Sequence, residues 1–275
     1  MRRADSCPAL RRKGVGDVVL LLKLTIVPLA LLALGLVERR HGPRLAGWLA
    51  GIPVVAGPLL VFVTLSHGAA FGAHAALGAW FGIVPWLGFA NTYSLTARWW
   101  HWTACALAAS LVWLALAYAM VLAQDGPAWL EVLPLIAYLG AVLAYPRHAP
   151  AQTRHVGSWM TLPARMAAGA GLTLAITRFS GSLGPLWSGT LTVFPVMGSI
   201  IAISNHIQYG RHAVEEVLAG MSMGLSSVGT FSFTLHTLLA HWHPLPAFAA
   251  ALAAGSSAHA ATFLLARRMR TAKPA

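Results

Sequence analysis

The side chains best suited to proton transfer or metal binding in this sequence are histidines, of which there are twelve. His236, His241 and His243 fall in one short stretch, and an imidazole can change charge between about pH 5 and 8. A zinc site is typically recognised by cysteine or histidine ligands at a set spacing, often with a carboxylate, and that pattern is missing here. Tryptophans interleave with the histidines, as aromatic residues do at a membrane surface. We predict no metal site, and we keep His236 as a candidate for proton coupling.

Sequence signatures of an enzyme are also missing. The chain has no nucleophile elbow, phosphate-binding loop or HExxH motif. Its adjacent carboxylates, Glu215 and Glu216, follow a loop and open a predicted helix, where acidic residues favour the helix dipole. Its two cysteines, Cys7 and Cys105, give no support for a disulfide framework. We therefore predict that the protein is not an enzyme and binds no cofactor.

Other polar residues that could line a solute pathway lie near the predicted ends of helices. Asn91 and Thr92 form one group, Thr234 with His236 forms a second, and Asn205 belongs to a third. Polar side chains at helix ends ordinarily just meet water, and they can also line the vestibules of a transport pathway. Both interpretations are open from the sequence.

The helices that carry these residues are predicted to lie in a membrane. Hydrophobic residues make up 57% of the 275 residues and charged residues 9%, against about 25% charged in a soluble domain. Apolar runs near the roughly 20 residues needed to span a bilayer recur along the chain. We predict one integral membrane domain over residues 1–275, an all-α polytopic transmembrane bundle in contact with the lipid bilayer. The predicted spans are 17–37, 45–65, 76–96, 103–123, 130–145, 159–179, 187–206, 215–239 and 246–266.

The basic residues indicate the orientation of these spans. The net charge is +12, and the Lys and Arg residues are concentrated at the chain ends and in short loops. The basic clusters at the two chain ends have no interleaved aromatics that would suggest nucleic-acid binding. Loops after spans one, three, five and seven are basic, whereas the opposite loops carry Asp125 and Glu131. By the positive-inside rule, the basic loops and the carboxyl terminus are predicted to be cytoplasmic.

The chain also repeats itself. Placing Pro53 on Pro195 gives an offset of 195 − 53 = 142. The same offset matches Gly42, Pro43, Gly47, Leu49, Val54, Gly68, Gly78 and Gly82 with identical residues in the second half. We predict two four-helix repeats, 17–123 and 159–265, joined by a linker helix at 130–145. A linker that crosses the membrane inverts the second repeat relative to the first, and a re-entrant linker would leave the two repeats parallel.

Equivalent spans of the two repeats are interrupted at equivalent places. Pro53 and Pro195 lie in mid-span, and a proline there removes a backbone hydrogen bond; Gly57 and Gly198 follow them. Paired Gly/Pro-interrupted segments in the two halves of a membrane protein point to a transport site. The alternative is a tolerated kink, with small residues packing helices together.

The second repeat resembles a known family. The segments GPLWSGTLTVFPVMGS and VLAGMSMGL, within 184–237, are similar to the small bacterial inner-membrane proteins of the GlpM/YdgC type, and 42–94 shows a weaker likeness. The resemblance implies an inner-membrane location, and an association with exopolysaccharide production, without catalytic residues to carry over. This chain departs from the family by holding two copies and a linker helix.

Two functions are predicted from these patterns. The first is a secondary transporter or exporter of a small solute, with a site at the repeat interface formed by the broken helices and the polar groups named above. The alternative is a non-transporting membrane factor that supports envelope or exopolysaccharide assembly. An enzyme acting on lipids ranks third.

Overall fold

A computed structural model describes residues 25, 28–53, 56–123, 126–144, 163–164, 166–168, 170–171 and 184–271. All regular secondary structure within these ranges is helical. The helices are α1 (28–41), α2 (Pro43–Ala50), α3 (Ala56–His67), α4 (Ala69–Phe81), α5 (Ile83–Thr96), α6 (Trp102–Ala123), a 3-10 helix (Ala128–Val132), α7 (Leu133–Ala144), α8 (Gly184–Thr192), α9 (Val196–Tyr209), α10 (Arg211–Leu239) and α11 (Pro244–Thr271).

Within the described residues, four helical stretches are long and apolar enough to cross a membrane, two of them when followed through an internal turn. The helix α10 has the length, at 29 residues, but its composition is more polar. Two shorter apolar helices are also present, Ala56–Leu65 and Ala128–Leu143. The chain is therefore a helical protein compatible with a membrane location. The four stretches are Ala69–Thr96, Trp102–Ala123, Gly189–Tyr209 and Pro244–Leu264.

The observed bounds correct several of the predicted spans. The third span starts at Ala69 and not at residue 76, and the eighth starts at Arg211 and not at 215. Glycine is the physical reason: Gly68 and Gly210 have φ of +94° and +74°, a conformation that a side chain disfavours, so the chain turns there and starts a new helix at once. The first half of the first predicted span and most of the sixth lie outside the described residues.

Two stretches form the centre of the bundle. In the apolar window of Ala69–Thr96, 78% of residues are buried, against 28% in Trp102–Ala123 and 22% in Pro244–Leu264. The other central helix, α10, buries residues along its whole length. Its more polar composition is tolerated there because neighbouring helices cover it. The helices α6 and α11 lie outside, against α5 and α10 respectively.

The two central stretches run antiparallel. At one end Arg98, just after α5, lies 3.5 Å from Glu215 near the start of α10. At the other end His236, near the end of α10, donates from Nδ1 to the carbonyl oxygen of Ala73 at 2.9 Å. We call the first the Glu215 end and the second the His236 end.

Each short helix α2 and α8 crosses a central helix at backbone contact. A methyl group added to Gly47 of α2 would overlap the carbonyl of Val217, and one added to Gly189 of α8 would overlap the carbonyl of Ala75. Val217 is six residues from the start of α10, and Ala75 is six residues from the start of α4. Such close approach requires glycine, which is also common where helices pack in membrane proteins.

Candidate functional site

The two broken helices end in the same way. After α2, the N–H groups of Gly51 and Ile52 donate to the carbonyls three residues earlier, and Gly57 N donates to Pro53 O. After α8, Val193 and Phe194 make the same pair of three-residue bonds. Each helix therefore tightens into a 3-10 turn and stops before its proline, which has no N–H to continue the ladder. The interruptions predicted at Pro53 and Pro195 are present.

Both interruptions lie against the middle of a central helix. Gly51 meets Gly224 of α10 backbone to backbone, and the side chain of Val193 lies next to Gly82, between α4 and α5. Gly82 and Gly224 are each near the middle of their central stretch. The turns before Pro53 and Pro195 thus lie at half-depth of the bundle, which is where a solute site is expected in transporters with broken helices.

The two glycines that follow these prolines belong to regular helix, and not to an unwound segment. Gly57 is the second residue of α3 and Gly198 the third of α9. Both are buried. Gly198 faces Met221 of α10 and Trp86 of α5, so it lies among the central helices.

Of the polar candidates, Asn205 is the most deeply enclosed. It is 0% exposed, its amide donates to Ile201 O at 2.9 Å, and its Oδ1 has no partner in the described part of the chain. A buried acceptor without a partner is costly, so this residue differs from an ordinary helix-end polar group. Asn91 is exposed and Thr92 half-buried on α5, at the Glu215 end.

Tyr93, beside these two residues, was not predicted to be buried. Its side chain is 0% exposed, and its hydroxyl lies 3.4 Å from Nδ1 of His206. This contact joins α5 to α9 at the Glu215 end of the bundle. Helix-end position suggested contact with water, but α5 is a central helix, and its neighbours cover the face that carries Tyr93.

The second group of polar candidates lies at the opposite end. His236 is half-buried and is held by its bond to Ala73 O, which fixes the proton on Nδ1 because a carbonyl can only accept. Thr234 is half-buried two residues earlier on the same helix, and His241 and His243 are exposed. The predicted residues therefore occupy three levels, with Asn91, Thr92 and Asn205 at one end, the broken helices in the middle, and Thr234 and His236 at the other end.

A polar cluster that the sequence did not single out lies between α2, α10 and α11. His259 of α11 is buried, 7% exposed, and stacks on Trp48 of α2 with ring centroids 3.7 Å apart and planes at 15°. Trp48 Nε1 donates to Thr262 Oγ1 at 3.4 Å, and the Ser226 hydroxyl lies 3.4 Å from the same oxygen. We call Trp48, Ser226, His259 and Thr262 the His259 cluster.

Nothing in the sequence pattern marks this cluster, because its members are far apart along the chain. The available signal was a lone histidine inside an apolar run, next to small and hydroxyl residues. The described residues hold no group of three or more His, Cys, Asp or Glu side chains that could bind a metal ion.

We compared the chain with protein-family models, curated proteins and solved structures, and none of the three comparisons found a match.

Proposed function

We propose that the chain is a duplicated membrane protein, made of two repeats related by an offset of 142 residues. The helix bounds support this: α2, α3, α4 with α5, and α6, moved by 142, fall within a few residues of α8, α9, α10 and α11. The left-handed corners at Gly68 and Gly210 are 142 apart. The two glycine crossings are related by the same offset. Adding 142 to Gly47 gives Gly189, and subtracting 142 from Val217 gives Ala75, so each crossing pairs a short helix of one repeat with the central stretch of the other.

We further propose that the repeats are inverted. The central stretches 69–96 and 211–239 correspond to each other and run antiparallel, as the contacts at their two ends require. A two-fold axis that exchanges two antiparallel neighbours is perpendicular to them, and for membrane-crossing helices such an axis lies in the membrane plane. In this proposal the linker 130–145 crosses the membrane, and nine spans place the basic loops and the carboxyl terminus in the cytoplasm of a bacterial cell.

The proposed function is secondary transport or export of a small solute at the interface of the two repeats. The observation that carries it is the pair of matched helix breaks before Pro53 and Pro195, each against the middle of a central helix. Broken backbone in a membrane is tolerated where protein buries it or where it lines a watery cavity. Alternating exposure of such a site requires two halves that can rock against each other.

Cysteine accessibility tests this proposal. Single cysteines replace Gly57 and Gly198 in a chain whose Cys7 and Cys105 are changed to serine, and a membrane-impermeant maleimide is applied from each face in turn. Transport predicts labelling of both positions, with rates that depend on the face. Leu111, 67% exposed on the outer helix α6, is the lipid-facing control that should resist the charged reagent, and exposed His241 is the control that should react from one face.

Labelling of neither glycine position from either face, with the His241 control reacting, would refute a pathway. The orientation is tested separately by reporter fusions after Pro127 and after Pro146. Inverted repeats require the two reporters on opposite sides of the membrane, and reporters on the same side would refute the inversion.

The alternative is a non-transporting inner-membrane factor of envelope or exopolysaccharide assembly, as the GlpM/YdgC-type resemblance implies. One observation favours it: the half-depth contacts of Gly51 with Gly224 are backbone to backbone, as in a rigid scaffold. A scaffold predicts that Pro53→Ala and Pro195→Ala leave polysaccharide production intact, while substitutions on the outer face of α6 or α11 abolish it. A transporter predicts the reverse pattern.

A further inference from the structure

His259 is the one residue of its cluster whose polar atoms are wholly unsatisfied in the described structure. Both ring nitrogens are buried and without hydrogen-bond partners. The backbone of Gly224 lies near the ring, but not in hydrogen-bond geometry. A neutral imidazole always carries one N–H donor and one acceptor, so this packing leaves both without a partner, which is costly in an enclosed site.

The equivalent place in the proposed first repeat shows that packing does not require this histidine. Subtracting 142 from His259 gives Ala117, which is 0% exposed, and subtracting it from Thr262 gives Met120, also buried. There, α6 packs through Trp113 against Phe194 with ring centroids 4.7 Å apart. The same helix contact is therefore made by apolar side chains in one half and by the His259 cluster in the other half.

The surroundings of the ring decide what it can bind. Within 244–264 of α11 there is no other titratable side chain, and within 217–229 of α10 there is none. On α2 the nearest charged group is Arg44, whose guanidinium is 3.8 Å from Met223 Sδ, and on α7 the Tyr138 hydroxyl donates to Met223 O at 3.1 Å. The described neighbours thus provide a cation and hydroxyls, with no carboxylate that would hold an imidazolium in place.

We propose that His259 is the proton-binding group of the protein and that its protonation separates α11 from α2. A proton added to the ring creates a second N–H donor and a charge. The backbone of Gly224, the described acceptor near the ring, is not in hydrogen-bond geometry, so the packed arrangement leaves the protonated ring unsatisfied. The Trp48 face offers the cation some attraction, and this attraction does not supply the missing acceptors. The protonated ring is satisfied where water or an anion reaches it, which requires the contact between α11 and α2 to open.

This proposal rests on the proposed transport function, because it assigns the coupling ion of that function to the proton. Trp48 and His259 come from different repeats, and the Trp48 backbone also meets Gly224 at half-depth. Opening of α11 from α2 therefore acts directly on the helix whose break lies at the proposed solute site.

The first experiment is a titration of the ring. Protein with ¹⁵N-labelled histidine in lipid nanodiscs is compared with His259→Gln, which identifies the His259 signal by its loss, and with His241→Gln as a control on an exposed histidine. His259→Phe keeps the stack on Trp48 and replaces the glutamine variant if that variant does not fold. We expect the His259 signal to shift between pH 5 and 9, and a signal that stays fixed over this range overturns the proposal.

The second experiment measures coupling without a known solute. The maleimide labelling rate of Gly57→Cys is followed from pH 5.5 to 8.5, and we expect a change of about fivefold or more, the lower range of typical site-to-site coupling. His259→Gln or His259→Phe should abolish this pH dependence, and His241→Gln should retain it. Labelling that does not vary with pH, or that varies equally in the His259 variants, overturns the proposed coupling. Failure of the proposed transport function gives a different result, which is no labelling of either glycine position at any pH.

Discussion

The close crossings of α2 and α8 with the central helices lead to a matched pair of stability predictions. In Gly47→Ala and Gly189→Ala the new methyl group falls on a backbone carbonyl of the neighbouring helix. A backbone atom cannot move aside by changing rotamer, so the two helices have to separate. Gly140→Ala is the control, because Gly140 lies in the interior of α7 and an added methyl there meets no described atom within 4 Å.

Two effects of opposite sign determine how much each substitution changes the free energy of unfolding. Alanine is favoured over glycine inside a helix by about 1 kcal/mol, and this gain applies to all three variants. Overpacking costs about 1–3 kcal/mol, and the rigid backbone neighbour places the cost in the upper half of that range. Gly47→Ala and Gly189→Ala should each lose about 1–2 kcal/mol of unfolding free energy, whereas Gly140→Ala should gain up to about 1 kcal/mol.

Reversible unfolding by sodium dodecyl sulfate in mixed micelles, followed by helical circular dichroism, measures these differences. The two crossings are separate contacts, so the double variant should show the sum of the single losses within about 0.5 kcal/mol. Stability of Gly47→Ala equal to that of Gly140→Ala would show that the crossing is looser than the structure has it. A large loss at Gly47 with none at Gly189 would contradict the equivalence of the two crossings.

Two hydrogen bonds between helices give further predictions in the same assay. His236→Ala removes the bond to Ala73 O and should cost about 1 kcal/mol, and His236→Gln, which keeps a donor, should recover part of the loss; no loss in the alanine variant would show that the bond contributes nothing. Thr190→Val removes the buried hydroxyl that lies 3.2 Å from Gly78 O of the neighbouring helix and 3.1 Å from Leu186 O of its own helix and should cost about 1 kcal/mol, while Thr190→Ser should stay close to wild type. A serine variant as unstable as the valine variant would mean that shape, and not the hydroxyl, matters at this position.

The helical class and the interruptions were predictable because each depends on local chemistry. Apolar composition indicates helices in a membrane, and proline ends a helix wherever the fold places it. The positions where α4 and α10 begin were not predicted, because apolar runs do not reveal that Gly68 and Gly210 adopt a left-handed conformation. The bounds of a hydrophobic run and those of a helix are set by different physical causes.

Burial of polar groups was harder to predict, because it depends on which helices surround a residue. Asn205 and Tyr93 sit near helix ends, where water is the usual neighbour, and yet both are 0% exposed. His259 and Trp48 are 211 residues apart (259 − 48), and their stacking depends on α2 and α11 both packing on α10. Residue type and spacing contain no signal for such a contact.

The proposed duplication helps to distinguish residues that build the helix bundle from residues that are available for chemistry. Features that occur in both halves, such as the glycine crossings and the proline interruptions, are sufficient to build the bundle, since each half uses them for the same contacts. A residue that differs from its counterpart is not needed for the contacts that both halves share. His259 stands where the first half has Ala117, and His236 stands where it has Ser94. Substitutions at these two positions should therefore affect activity more than assembly, and the reverse should hold at Gly47 and Gly189.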